Sequence, residues 1–238
     1  MRTSRKQVGR ALTAGSSSAG PESTQYVYKA LGEKELVLKV FRPAGDGPDA
    51  LRPAVVFFFG GGFMMRRLDQ FEPQCRYFAG RGMAAMIADY RVGQHDGVQP
   101  PDCCADGRSA IRWIRANAAE LGVDPDRIVA AGGSAGGTVA AMTGLFHEAP
   151  PAGEPPVSSR PNAMVLFNPA LIYAPIEGKD LRPRARIDLY TQRWGASSFP
   201  ETSAWHHVTT DAPPTQIHQG DRDEICPVEL ARLFTDRM

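Results

Sequence analysis

Short apolar runs separated by glycine, proline and polar residues set the layout of this 238-residue chain. Glu35-Leu36-Val37-Leu38-Lys39-Val40-Phe41 alternates with a period of two, which predicts a half-buried strand. Tyr26-Val27-Tyr28 stands just before it as the expected antiparallel partner. Ala54–Phe59 and Met83–Ala88 are unbroken apolar runs, the pattern of strands buried on both faces. Ile128–Ala131, Ala163–Phe167 and Thr215–Gln219 complete the strands that the pattern predicts. Helices are expected between them: Pro73–Arg81 with Tyr77 and Phe78 inward, Asp106–Leu121 through Ile111, Ile114 and Leu121, and a last one over Pro227–Arg237, opened by proline. Strands alternating with helices imply an α/β fold, a mostly parallel central sheet covered on both faces. The length suits one such domain.

Composition removes several classes of function. The formal net charge is +1, so no basic surface argues for nucleic acid. No apolar stretch approaches the length of a membrane span. The four cysteines, Cys75, Cys103, Cys104 and Cys226, make no C-x-x-C pair. They read as neutral thiols, and neither a metal nor an organic cofactor is implied. Residues 1–22 are rich in Arg, Ser, Gly and Ala without a sustained apolar core. That pattern argues against an intact secretory signal and for a disordered tail ahead of a domain over residues 23–238.

Chemistry concentrates at Gly132-Gly133-Ser134-Ala135-Gly136, between the run ending at Ala131 and the helical Thr138-Val139-Ala140-Ala141-Met142. A strand, a G-x-S-x-G turn and a helix is the arrangement in which a serine becomes a nucleophile. Glycines flank the serine because the turn is too tight for side chains. The helix N-terminus behind it favours developing negative charge. A second motif, Gly60-Gly61-Gly62-Phe63, follows the buried Ala54–Phe59 strand. Consecutive glycines let backbone N–H groups face a ligand. The amides of Gly61 and Gly62, with that of Ala135, are the candidate oxyanion hole.

At these residues the chain resembles the α/β-hydrolases of the acetyl-esterase and hormone-sensitive-lipase-like group, from about Val27 to the C-terminus. Asp89-Tyr90-Arg91, the helix with Ala110-Ile111-Arg112-Trp113-Ile114, and Asp124-Pro125-Asp126-Arg127-Ile128 belong to the same resemblance and carry no chemistry of their own. The family's glycine loop reads H-G-G-G, and Phe59 stands where its loop-bracing histidine would be. The resemblance implies a serine esterase acting on short-chain, acetyl-type esters through an acyl-enzyme, its partner a small-molecule ester. A lactone-cleaving or peptidase-like hydrolase of the same fold is the alternative within enzymes. A cap-like insertion is expected over residues 170–208.

Gly220-Asp221-Arg222-Asp223-Glu224-Ile225-Cys226-Pro227 resembles the family's G-x-x-D-x-x-x-P acid loop, which makes Asp223 the triad acid, with Asp221 and Glu224 as substitutes. The resemblance places the catalytic histidine beyond a further strand. Fifteen residues follow Asp223, and none is histidine. His95, His147, His206, His207 and His218 all precede the acid. The expectation is therefore a truncated hydrolase, or a degenerate relative that keeps the fold as a binding protein.

Overall fold

The computed structural model describes residues 11–12, 23–43, 51–178, 194 and 199–238. Its strands are β1 (Ala11–Leu12), β2 (Ser23–Leu31), β3 (Lys34–Phe41), β4 (Arg52–Phe58), β5 (Ala84–Ala88), β6 (Val123–Gly133), β7 (Ala163–Phe167) and β8 (Thr215–His218). They form one sheet in the order β1-β2-β3-β5-β4-β6-β7-β8. The first pairings, β1 with β2, β2 with β3 and β3 with β5, are antiparallel; the remaining ones are parallel. The fold is that of an α/β-hydrolase: a mostly parallel sheet with helices. β1 lies within the stretch expected to be a tail. The rest of that expectation, and the cap expectation over residues 179–193 and 195–198, fall outside the described residues.

The central strands are apolar throughout because both faces are covered. Along β4, Ala54, Val56 and Phe58 point into one core layer and Val55 and Phe57 into the other. The first layer holds the helices α3 (Pro100–Ala116) and α5 (Ala135–Leu145), whose close approach needs Gly107. A Cβ there would sit 2.4 Å from Val139 Cγ1. The second layer is closed by α1 (Glu72–Ala79), whose Cys75 and Ala79 face Phe57, Phe71 and Ile87.

Two sequence expectations change. Tyr77 points outward, 56% exposed, because the i, i+4 pair Cys75 and Ala79 takes the sheet side of α1. Its ring lies under the Arg81 guanidinium, 4.5 Å from the centroid. Phe78 is half-buried and packs on Phe57. The helix expected from Asp106 begins at Pro100, where Pro fills the first turn and Gln99 and Asp102 form a capping box. It ends at Ala116, and a separate turn, α4 (Ala118–Leu121), follows after the short α2 (Gly93–Asp96) and α3.

A buried carboxylate ties α3 to the sheet. Asp106 accepts Arg91 Nε at 2.7 Å and Nη2 at 3.0 Å, and Lys29 Nζ lies 2.9 Å away. Arg112, fully buried, reaches Glu154 at 2.9 Å in the proline-rich loop after α5.

Candidate active site

The C-terminal ends of β4, β6 and β7 meet at one rim, and there the backbone is strained. Phe63, Ser134 and Asn168 are the non-glycine residues at positive φ among the described residues, at 60°, 53° and 43°. Each lies just beyond one of those strand ends. Sparsely populated backbone conformations held by surrounding structure are typical of functional sites.

Ser134 sits between β6 and α5 at φ 53°, ψ −122°. Its amide donates to Phe167 O at 3.0 Å, and its carbonyl accepts from Gly137 N at 3.0 Å and Ala170 N at 3.3 Å. The flanking glycines are required by close approach. A Cβ on Gly132 would meet Gly136 O at 2.2 Å, and one on Gly136 would meet Phe58 O at 2.2 Å and Phe59 O at 2.3 Å. The Ser134 turn thus rests directly on the backbone that leads into the glycine loop.

That loop holds a defined shape without a histidine. The Phe59 ring is fully buried and stacks on Tyr90 with centroids 4.1 Å apart, and Tyr90 Oη donates to Phe59 O at 2.5 Å. Gly60 N donates to Gln70 Oε1 at 2.6 Å. Gly61 O accepts from Met64 N and Met65 N, at 3.0 and 3.1 Å. Gly61 at φ 137° and Gly62 at φ 62° need glycine. Farther along, Arg66 pairs with the buried Asp89 just after β5. Burial raises the Asp89 carboxyl to about 6, against the pull of Arg66 and the Tyr90 amide.

Asp223 lies in the loop after β8. Its Oδ1 accepts from Ile225 N at 2.7 Å and Cys226 N at 2.8 Å, and its Oδ2 accepts from Asn168 Nδ2. Asn168 N in turn donates to His218 O at 2.7 Å, so the ends of β7 and β8 hold the Asp223 carboxylate between them. Asp221 and Glu224 are exposed. Asn168 belongs to no motif; its one signal in the sequence is an asparagine directly after a buried strand, a residue tolerant of left-handed backbone.

Four of the five histidines have described side-chain partners. His206 contacts Ser203 Oγ at 2.8 Å and Pro175 O at 3.2 Å, and burial lowers its pKa. His207 Nε2 lies 2.7 Å from Pro200 O, and its ring is edge-on to Phe146. His147 faces Asp211 at 3.7 Å, His218 stacks on Phe167, and His95 is exposed on α2. The four cysteines are free and buried, and among the described residues no cluster of His, Cys, Asp and Glu suits a metal. No helix among the described residues is long and apolar enough to cross a membrane.

A family model described as BD-FAE matches residues 38–155. Esterase 2 of Thermogutta terrifontis with bound butyrate is 46% identical, covers 92% of this chain and 78% of that one, and superposes with a TM-score of 0.82. The chain is an α/β-hydrolase of the hormone-sensitive-lipase-like carboxylesterase family. The same thermophilic esterase phosphonylated by sarin gives a TM-score of 0.85 at 44% identity, covering 92% of this chain and 79% of that one. Among curated members, esterase LipC of Mycobacterium tuberculosis is 31% identical over 206 residues, 81% of this chain and 50% of LipC. Carboxylesterase NlhH of the same organism is 41% identical over 91 residues, 38% of this chain and 28% of NlhH. The chain therefore spans about half, or less, of the curated carboxylesterases it matches.

Proposed function

We propose that this carboxylesterase-family chain carries the nucleophile, oxyanion hole and acid of a serine esterase for short-chain carboxylic esters. The observation that carries the reading is Ser134 in a strained turn, seated on the Phe58 and Phe59 carbonyls at the edge where the glycine loop begins. Ser134 Oγ attacks the ester carbonyl carbon and gives its proton to a base. The carbonyl oxygen becomes an oxyanion facing the N–H groups of Gly61, Gly62 and Ala135. The C–O bond to the alcohol breaks, the alcohol leaves with a proton, and water hydrolyses the acyl-enzyme by the same steps in reverse order. Asp223, held by two amides and Asn168, orients the base. In this family the base is a histidine beyond the acid, and none of the five histidines of this chain occupies that place. Butyrate bound to the Thermogutta esterase supports a short acyl group, acetyl to butyryl.

The test is hydrolysis of p-nitrophenyl acetate by the chain and by Ser134→Ala. Turnover above background that disappears in Ser134→Ala supports the reading. Equal background rates from two folded proteins refute it as an activity of residues 1–238. That outcome would favour the second reading, a hydrolase fold retained for binding.

A further inference from the structure

We infer that Gln70 is a positioning residue of this site, locking the oxyanion loop in place of the family's histidine. The inference rests on the esterase reading above. Gly60 N donates to Gln70 Oε1 at 2.6 Å, and because a backbone N–H can only donate, that contact fixes which end of the carboxamide is oxygen. The nitrogen end then lies near the Gly60 Cα, as Ser134 does. A methyl built on Gly60 would stand 3.5 Å from Gln70 Nε2, 3.4 Å from Ser134 Cβ and 3.0 Å from Gly133 O. Gln70 Nε2 and Ser134 therefore flank the same small space above the Gly60 peptide.

The turn that carries Gln70 is itself anchored. Gln70 N donates to Arg67 O at 3.2 Å. The next residue, Phe71, is buried, stacks on Phe57 at 4.9 Å and lies tilted against Phe167 at 6.2 Å, and its ring would lie 3.2 Å from a Cβ on Gly133. One residue thus plugs the ends of β4, β6 and β7, and its neighbour reaches across to the glycine loop. With its N–H committed to Gln70 and its carbonyl to Tyr90, the single Phe59–Gly60 peptide that leads into the loop is held at both ends against rotation. Gly61 and Gly62 N–H are then presented to the oxyanion without reorganisation, the condition under which such donors act most strongly. The carboxamide does this without adding a charge near Ser134.

Three variants separate the lock from mere folding: Gln70→Ala, which removes the acceptor; Gln70→Glu, which keeps the acceptor but puts an anion beside Ser134; and Ser134→Ala as the unreactive reference. The first readout is exchange of the Gly60 amide proton by NMR with nitrogen-15 glycine. Exchange is expected to be at least about tenfold faster in Gln70→Ala and unchanged in Gln70→Glu. The second is saturation labelling of Ser134 by an alkyl fluorophosphonate, in which the Oγ–P bond forms, fluoride leaves and the hydroxyl proton passes to buffer. The maximal labelling rate is expected to fall about 10- to 100-fold in Gln70→Ala, with the half-saturating concentration little changed. It is expected to fall about tenfold in Gln70→Glu, through repulsion of the developing negative charge. Unchanged Gly60 exchange in Gln70→Ala overturns the lock. Wild-type labelling rates in both Gln70 variants overturn the positioning role. Wild-type labelling no faster than in Ser134→Ala overturns the esterase reading and the positioning role that rests on it, while Gly60 exchange still decides the lock.

Discussion

Gly136→Ala tests the seat of the Ser134 turn. The new Cβ would stand 2.2 Å from Phe58 O and 2.3 Å from Phe59 O. Both are backbone atoms of the strand end that leads into the glycine loop, so no side chain can swing aside. Relief requires α5 and the end of β4 to separate by about 1 Å. Overpacking of this kind costs about 1–3 kcal/mol, or about 2–12 °C in Tm for a chain of this size. The same displacement moves Ser134 away from Gly61 and Gly62, and an error of about 1 Å in a reacting geometry costs about 100-fold in rate. The control is Gly80→Ala, where the nearest atom, Arg76 O, would lie at an ordinary 3.4 Å and φ is −63°. Thermal melting and fluorophosphonate labelling of the two variants give the comparison. If Gly136→Ala melts and labels like Gly80→Ala, the two parts of the site are not in rigid contact and the reasoning fails.

Burial holds the Asp89 carboxyl near 6, above its unfolded value of about 4. The folded state therefore binds the proton more tightly, and stability present below about pH 4 is lost as the pH rises through about 6, by about 2–3 kcal/mol. In urea denaturation across that range, Asp89→Asn is expected to gain this amount relative to wild type between about pH 4 and about pH 6.5, and a flat difference would contradict the burial argument. Asp106→Ala takes from Arg91 and Lys29 their nearest carboxylate, leaving Asp102 at 3.8 Å and Glu154 at 3.4 Å, and is expected to cost about 3–5 kcal/mol; a loss under about 1 kcal/mol in urea titration would mean that solvent and these remaining partners suffice.

The strands were legible because each core strand is an apolar run too short for anything else, and Ser134 because its glycines stand where neighbouring carbonyls leave no room for a Cβ. The order of strands was not legible. It puts β5 between β3 and β4, a pairing set by crossovers and not by any local pattern. Nor was the start of α3 at Pro100, since its first two turns, with Cys103, Cys104, Asp106 and Gly107, break the apolar spacing even though most of that stretch is buried. At the site, motif residues could be read and their supports could not. Tyr90, Gln70 and Asn168 act through partners 31, 10 and 55 residues away, and no spacing announces such contacts.

The positive φ of Ser134 sets fitness for reaction against fitness for folding. A side chain in that conformation costs about 1–3 kcal/mol that glycine would not incur. Ser134→Gly is then the inert variant that melts higher than the wild type, whereas Ser134→Ala removes the hydroxyl and keeps the strain. A screen that ranks variants of this chain by heat resistance alone would favour a protein that has discarded the Ser134 hydroxyl.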